Sequence, residues 1–243
     1  MVSIVKAVET DKWLPKEWRK CTVPILRQPA ETTDHITGSA FILEYKQKLY
    51  IVTANHVVKS ENLVMAFTKK TTEKVNVNFP NYQKAELKWI KHPAGLDIAA
   101  IPFYLPPELE KEIDFFPIPE AQWTHPKIKI GDWVAHLGYP LTGTSNYLNK
   151  TPCYLPQGMP GRIIKCPKPY LIMKTASAHG ASGGPVFLKV DNDKPYLIGV
   201  VIEARMKGNP LGIAKVQYLE ETTALFATLI KDILESDEMV SQS

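Results

Sequence analysis

Cysteine is scarce in this sequence of 243 residues, and long hydrophobic runs are missing. The three cysteines, Cys21, Cys153 and Cys166, cannot all pair within one molecule, and none stands in a Cys-x-x-Cys or histidine-containing metal spacing. Reduced thiols, no metal site and no cofactor are therefore expected. No stretch approaches the roughly 18 apolar residues of a membrane span. The best run, Tyr196 to Ile202, ends at Glu203 and is interpreted as a buried strand.

Charge of one sign is also limited, because the formal net charge is only +4 and lysine and arginine are scattered along the chain. A nucleic-acid partner is therefore not expected. The first residues, from Met1 to Asp11, carry charge too early to contain the hydrophobic region of a secretory signal. Together with the reduced thiols, this start predicts a cytoplasmic protein with no membrane partner. The oligomeric state leaves no mark in the sequence.

Short strand-like runs dominate the chain, and its 44% of hydrophobic residues suffices for a substantial core. These runs are rich in β-branched and aromatic residues and predict an all-β sandwich or barrel. In the first half they are Gly38 to Tyr45, Lys48 to Thr53, Asn62 to Thr68, Ala85 to Ile90 and Asp97 to Phe103. In the second half they are Asp132 to Leu137, Arg162 to Cys166, Tyr170 to Lys174, Pro185 to Lys189, Tyr196 to Glu203 and Leu211 to Gln217.

Prolines separate the two halves, because the stretch from Leu105 to Lys127 holds several of them and proline cannot sit inside a central strand. Near the C terminus, Leu225, Leu229, Ile230 and Ile233 are spaced along one helical face and predict a helix that packs on the second lobe. The predicted organisation is an unassigned arm (1–32), a first β-barrel (33–104), a linker (105–127), a second β-barrel (128–218) and a C-terminal helix and tail (219–243). A doubly wound α/β hydrolase is disfavoured because helices do not alternate with the strands.

The segment from His179 to Pro185, His-Gly-Ala-Ser-Gly-Gly-Pro, places Ser182 among glycines. Glycine permits a tight turn that exposes backbone amides beside the hydroxyl, which is the surrounding a nucleophilic serine requires. A glycine-rich hairpin and a phosphate-binding loop are the alternatives. The phosphate loop is disfavoured because no Gly-Lys-Ser/Thr follows and no strand-to-helix pattern surrounds the segment. Ser182 is therefore a candidate nucleophile.

A nucleophilic serine needs a base and an orienting carboxylate, and two upstream segments each carry one polar group in an apolar frame. His56 follows the run from Tyr50 to Ala54, and Asp97 precedes Ile98 to Ile101. A core histidine satisfied by the backbone and a turn-capping aspartate are the alternatives. A carboxylate in an apolar setting needs hydrogen-bond donors, and a histidine ring N–H is one such donor. Both residues are therefore candidates for catalysis.

The order His, Asp, Ser, with Thr-Ala-x-His, Asp-Ile-Ala and Gly-x-Ser-Gly-Gly-Pro, resembles the trypsin-like serine peptidases of the chymotrypsin fold. The match covers roughly Thr33 to Gln217. Gly38 to Ile42, Gly131 to Val134 and Gly138 to Pro140 make the chain more similar to the HtrA-like, bacterial-type branch than to secreted digestive enzymes. The resemblance implies two six-stranded antiparallel β-barrels followed by a C-terminal α-helix.

Carried over residue by residue, the resemblance makes Ser182 the nucleophile, His56 the general base and Asp97 the group that fixes the imidazole tautomer. The amides of Gly180 and Ser182 would form the oxyanion hole. Digestive members carry an aspartate just before the serine that pairs with a newly cut N terminus, and this sequence has Ala181 there. Activation by that route is therefore not expected. HtrA-like proteins usually continue into a peptide-binding PDZ module, and recruitment of substrate by such a module is not expected here.

Substrate contacts are predicted by position relative to Ser182. The pocket for the side chain before the cut would be bounded by Ala176, Ser177, Ala204 and Gly212, with His179 and Glu203 beside it. No acidic residue lies at the expected floor, so small or apolar side chains are predicted rather than Lys or Arg. The strand from Ile202 to Ala204 would pair its backbone with an extended protein or peptide substrate.

These features predict a serine endopeptidase that acts through an acyl-enzyme intermediate. A catalytically silent relative that binds peptides or protein partners is the alternative from another class, because a fold alone does not establish activity. An esterase with the same three residues is a third possibility, and it would not need the strand that pairs with a peptide.

Overall fold

The structure is a computed structural model, and the residues it describes are 14–27, 35–59, 63–68, 74–78, 88–104, 107–123, 128–139, 156–175, 180–190, 194–207 and 218–241. Within these ranges the chain forms two antiparallel β lobes and one longer helix at the C-terminal end. No helix in the described residues is both long and apolar enough to cross a membrane.

The first lobe is a seven-stranded sheet in which all neighbouring strands are antiparallel. Its strands are β1 (Thr22–Arg27), β2 (His35–Tyr45), β3 (Lys48–Thr53), β4 (Leu63–Thr68), β5 (Lys74–Asn78), β6 (Ile90–Lys91) and β7 (Ala99–Pro102). Their order across the sheet is β5-β4-β1-β2-β3-β7-β6. β2, β3 and β7 are therefore neighbours, and the register pairs Thr53 with both Ala40 and Ala99. This register places the end of β3 and the beginning of β7 beside the middle of β2.

The second lobe is a closed six-stranded barrel in the order β10-β13-β12-β11-β8-β9. Its strands are β8 (Trp133–Gly138), β9 (Gln157–Lys165), β10 (Tyr170–Thr175), β11 (Pro185–Leu188), β12 (Tyr196–Lys207) and β13 (Tyr218–Phe226). Closure leaves no sheet edge in the barrel wall, and the inward side chains form their own core around Val186, Ile198 and Val201. The Ser182 segment leads directly into β11.

The predicted all-β fold with two lobes and a C-terminal helix is confirmed. The first lobe differs in detail, because it has seven strands where the resemblance implies six. β1 was not predicted, and Pro24 in its middle argues against a central strand. The strand is possible because β4 pairs with β1 only from Ile25 onward, so Pro24 lies beyond the end of that ladder. β5 and β13 were also not predicted, and half of Ala85 to Ile90 and all of Leu211 to Gln217 lie outside the described residues.

The short helices connect and cover the lobes. In the described ranges, the short ones are the 3-10 helices Lys16–Cys21, Val57–Lys59 and Glu120–Gln122 and the single-turn α1 (Pro107–Glu110), and the longer helix is α2 (Thr228–Ser241). The expectation that the C-terminal helix packs on the second lobe was incomplete, because α2 also contacts β6 and β7 of the first lobe. Two polar contacts join α2 to the first lobe. The Tyr45 hydroxyl donates a hydrogen bond to Glu235 Oε1 at 3.2 Å, and His92 Nε2 lies 3.6 Å from Asp232 Oδ2. Leu225, expected on the helix, lies in β13 instead.

A hydrophobic core continues from one lobe into the other. It contains Phe41 and Leu43 of the first lobe and Phe187 of the second, together with Ile230 and Ile233 of α2. A further member, Trp18 in the 3-10 helix Lys16–Cys21, meets Phe187 edge to face with ring centroids 5.3 Å apart. Shared burial of this kind resists separation of the lobes, so a site formed between them has a fixed frame.

Candidate active site

His56 and Asp97 meet at the edge where β3 ends and β7 begins. Thr53 and Ala99 are paired in the register, His56 follows the first by three residues, and Asp97 precedes the second by two. The His56 Nδ1 atom lies 2.6 Å from Asp97 Oδ2, and the His56 backbone amide donates to Asp97 Oδ1 at 2.8 Å. Antiparallel pairing thus joins two residues far apart in the sequence, and both carboxylate oxygens are engaged by one histidine.

The electrostatics of this pair favour an ionised carboxylate. Partial burial alone would raise the pKa of Asp97. The hydrogen bonds from the His56 ring and backbone, together with electrostatic attraction from His56 and Lys59, outweigh that effect and lower the pKa below its ordinary value. An ionised Asp97 accepts a hydrogen bond from the N–H group at His56 Nδ1. In the neutral imidazole, Nε2 then carries no proton and is left as an acceptor. The His56 side chain is 41% exposed, so the imidazole is accessible from solvent.

The Ser182 segment belongs to the second lobe but is fastened to the first. The Ser39 amide of β2 donates to the Ser182 carbonyl at 2.7 Å. On the barrel side, the Gly183 amide donates to the Val201 carbonyl of β12 at 2.7 Å. Within the turn, the Gly184 amide donates to the Ala181 carbonyl at 3.0 Å. The turn is therefore held from both lobes, beside the strand ends that carry His56 and Asp97.

Glycine at position 183 is required by space as well as by conformation. Its φ of +84° lies in the left-handed region, and a Cβ there would stand 2.0 Å from the Ser39 carbonyl oxygen and 2.1 Å from Thr53 Oγ1. Gly38 is similarly confined, since its Cβ would meet Val57 at 2.6 Å. The missing side chain at Gly183 lets the Ser182 turn lie against β2 and the end of β3, and the missing side chain at Gly38 leaves room for Val57.

The two predicted oxyanion donors are Gly180 and Ser182, and both lie in the described turn. Gly180 has a φ of +93° and is buried. Among the described residues neither amide finds an acceptor, whereas the amides of Gly183 and Gly184 both do. Two unengaged N–H groups separated by one residue are an arrangement that can bind a developing negative charge on oxygen.

The predicted substrate residues are only partly described. Ala176, Ser177, His179 and Gly212 lie outside the described residues. Ile202, Glu203 and Ala204 all belong to β12, where Glu203 is exposed and Ile202 is half-buried against both lobes. Pairing between β11 and β12 ends at Pro185 and Val200, while β12 continues to Lys207. β12 thus extends beyond its pairing with β11.

Side chains of metal-ligating types and thiols both occur in the described part of the chain. No group of three or more His, Cys, Asp or Glu side chains there could hold a metal ion. Cys21 is buried next to Thr22, and burial raises the pKa of its thiol to about 12, so it stays protonated. Burial also raises the pKa of Cys166. Neither thiol has the properties of a nucleophile.

Comparison with models of known protein families identifies the family of this chain. A model described as the trypsin-like peptidase domain matches residues 38–200. The chain belongs to this family. The match identifies the family and leaves the HtrA-like branch as a prediction. A search of curated proteins found no significant match.

Solved structures with the same fold have low sequence identity to this chain. The thermostable serine protease AL20, from an extremophilic microorganism, has a TM-score of 0.59 at 12% identity and covers 90% of this chain and 97% of its own. Rv3671c from M. tuberculosis H37Rv, a mutant crystallised in an inactive form, has a TM-score of 0.51 at 16% identity and covers 90% of this chain and 86% of its own. Both similarities concern the fold.

Sequence analysis missed two residues that shape the site, Ser39 and Thr53. Both are fully buried, and Thr53 Oγ1 donates to the Ser39 carbonyl at 2.7 Å. Each hydroxyl has apolar neighbours in the sequence, Ala40 and Phe41 after Ser39 and Ile51 and Val52 before Thr53, which is a signal the sequence does contain. Recognising it requires knowing that the Ser182 turn reaches these strand ends, and that follows only from the assembly of the lobes.

Proposed function

We propose that the protein is a serine endopeptidase in which Ser182, His56 and Asp97 form a catalytic triad. The observation that carries this proposal is the 2.6 Å contact between His56 Nδ1 and Asp97 Oδ2, at the same strand edge to which Ser39 fastens the Ser182 turn. A histidine oriented by a carboxylate beside a serine in a glycine turn is the combination that activates a hydroxyl.

In the proposed mechanism, the Ser182 hydroxyl attacks the substrate carbonyl and transfers its proton to His56 Nε2. Asp97 remains ionised and stabilises the imidazolium through Nδ1, which is consistent with its lowered pKa. The carbonyl oxygen takes the negative charge and is stabilised by the amides of Gly180 and Ser182. The C–N bond then breaks as His56 returns the proton to the leaving amine, which leaves an ester on Ser182. Water activated by His56 hydrolyses that ester and restores the hydroxyl.

Substrate binding by strand addition is supported by the shape of β12. The strand extends past its last register pair with β11 at Val200, and the residues that follow are Ile202, Glu203 and Ala204. An extended peptide beside them would form backbone hydrogen bonds, which tolerate many sequences. Small or apolar side chains before the cut remain our prediction for specificity, together with a pocket built by Ala176, Ser177, Ala204 and Gly212.

Labelling with a fluorophosphonate probe, followed by digestion of an unstructured protein substrate, tests the proposal. Wild-type protein should be labelled and should cut within the substrate, and Ser182→Ala and His56→Ala should do neither. The Ser236→Ala variant is a matched control, because Ser236 donates to the Ile233 carbonyl within α2, away from the site. Absence of label on the folded wild-type protein would favour the silent binding module. Label without cleavage of any peptide would favour an esterase.

A further inference from the structure

Ser39 uses every hydrogen-bonding group it has to hold the Ser182 turn or its surroundings. Its hydroxyl donates to the Gly180 carbonyl at 2.6 Å and accepts from the Tyr139 amide at 3.0 Å. Its own amide donates to the Ser182 carbonyl at 2.7 Å, and its carbonyl accepts from Thr53. A fully buried hydroxyl with one donor and one acceptor role satisfied is fixed in orientation.

The peptide groups of the turn are fixed one by one. The carbonyl of Ala181 accepts from the Gly184 amide within the turn, whereas the carbonyls of Gly180 and Ser182 both accept from Ser39. The peptide between Gly180 and Ala181 lies between the two proposed oxyanion donors. Its orientation sets the relative direction of the two N–H groups, and among the described residues its carbonyl is held by the Ser39 hydroxyl.

The turn has little means of holding this conformation by itself. Gly180 and Gly183 both have positive φ, and glycine loses more conformational freedom on ordering than any other residue. Ala181 has no polar side-chain group and is buried, so it provides packing without a hydrogen bond. An external partner is therefore needed to fix the Gly180 carbonyl.

We propose that Ser39 is a positioning residue that sets the oxyanion hole, acting through the carbonyl of Gly180. The inference deepens the proposed function and rests on it, because it matters only if Gly180 and Ser182 bind a developing oxyanion. The hydroxyl belongs to the first lobe and the donors belong to the second, so the oxyanion hole is completed only when the lobes are packed together. Ser39 does not touch the substrate.

Substitution of Ser39 by alanine tests this role, with Thr37→Val as the matched control. Thr37 lies two residues earlier on β2, and its hydroxyl also donates to a backbone carbonyl, that of Ile25, away from the turn. Steady-state kinetics on a peptide or ester substrate, the rate of fluorophosphonate labelling and thermal unfolding are measured for each variant. We expect Ser39→Ala to lower kcat about 10- to 100-fold with KM nearly unchanged, because loss of a whole oxyanion donor costs about 10²- to 10³-fold.

Further variants separate positioning from a general loss of structure. Ser39→Cys keeps a weaker donor and should retain a kcat between those of wild type and Ser39→Ala. Thr37→Val should leave kcat and labelling unchanged. Equal kcat in Ser39→Ala and wild type, or a loss that falls on KM alone, would overturn the inference while leaving the proposed function intact. If the wild-type protein itself is not labelled, it is the proposed function that fails. Should Ser39→Ala not fold, the kcat of Ser39→Cys decides the question.

Discussion

The two lobes contribute to the site in different ways. The first lobe carries His56 and Asp97 on the ends of neighbouring strands, and their contact depends only on the register of β3 and β7. The second lobe carries Ser182 in a turn with three glycines, and that turn is fastened by Ser39 of the first lobe. The proposed base and its carboxylate are thus organised within one lobe, whereas the proposed nucleophile is organised by contact between the lobes.

This difference predicts different sensitivities. Changes in the first-lobe pair should affect proton transfer without moving the backbone. Changes near the Ser182 turn should affect geometry, because the turn tolerates no added atoms where it meets β2 and β3. The experiments below compare the two halves, beginning with the largest expected effect.

Removal of the nucleophile should have the largest effect on turnover. Ser182→Ala is expected to lower kcat by about 10⁶-fold, since loss of the nucleophile in this chemistry removes the acyl-enzyme route. Substrate binding should remain measurable by isothermal titration of the inactive protein with a peptide. A residual rate within about tenfold of wild type would show that Ser182 is not the nucleophile.

Asp97→Asn should have the second largest effect, and it tests the first-lobe half directly. The amide would favour the wrong imidazole tautomer, and the expected loss in kcat is about 10⁴-fold. Asp132→Asn is the control, because Asp132 accepts a hydrogen bond from the Lys129 amide in a turn of the second lobe. Steady-state rates measured near neutral pH compare the two variants. Equal activity of Asp97→Asn and Asp132→Asn would refute an orienting role for Asp97.

Gly183→Ala tests the second-lobe half, through its backbone. The added Cβ would stand 2.0 Å from the Ser39 carbonyl at a positive φ, so the turn must move. We expect a loss of about 3 kcal/mol or more in the free energy of unfolding and a fall in kcat. Gly131→Ala separates the two causes, because Gly131 also has positive φ (+94°) but open space around its Cβ position. That control should cost about 1 to 2 kcal/mol, with activity unchanged. Equal losses of unfolding free energy in Gly183→Ala and Gly131→Ala would mean that packing of the turn against β2 contributes nothing to stability.

The contact of α2 with the lobes should affect stability alone. Ile233 is fully buried in the core that the lobes share, so Ile233→Ala is expected to cost about 2 to 4 kcal/mol of unfolding free energy. Lys231→Ala, on the exposed face of the same helix, should cost less than about 0.5 kcal/mol. Urea denaturation measures both. A large fall in kcat at temperatures where the Ile233→Ala protein is folded would contradict a purely structural role for α2.

The smallest expected effect is the dependence of stability on pH through Asp97. Its pKa in the folded protein lies below the ordinary value of about 3.8, so ionised Asp97 stabilises the fold above that pH. The contribution is lost as the pH falls through the lowered folded pKa. As the pH is lowered below about 4, the unfolding free energy of wild type should therefore approach that of Asp97→Asn. The change should be small, because the side chain is a third exposed and solvent screens the interaction. A difference in unfolding free energy between wild type and Asp97→Asn that does not change with pH would contradict this prediction.

The sequence allowed the fold class, the three candidate catalytic residues and the C-terminal helix to be predicted, because each leaves a local pattern. The apolar frames around His56 and Asp97 and the glycines around Ser182 are such patterns. β1 was missed because Pro24 argues against a strand, and its place in the sheet depends on where β4 stops. The contacts of α2 with β6 and β7, and those of Ser39 with Gly180 and Ser182, join residues more than a hundred positions apart, which no local pattern records.

The central claim is that strand pairing in one lobe and fastening of a turn in the other bring a serine, an imidazole and a carboxylate into one proton-transfer path. Rapid-quench mass spectrometry during reaction with an activated acyl ester tests it most directly. The account predicts transient acylation of wild-type protein, mapped to Ser182, with a rate at least about 10³-fold slower in His56→Ala. Acylation at another residue, or at Ser182 with an equal rate in His56→Ala, would contradict it.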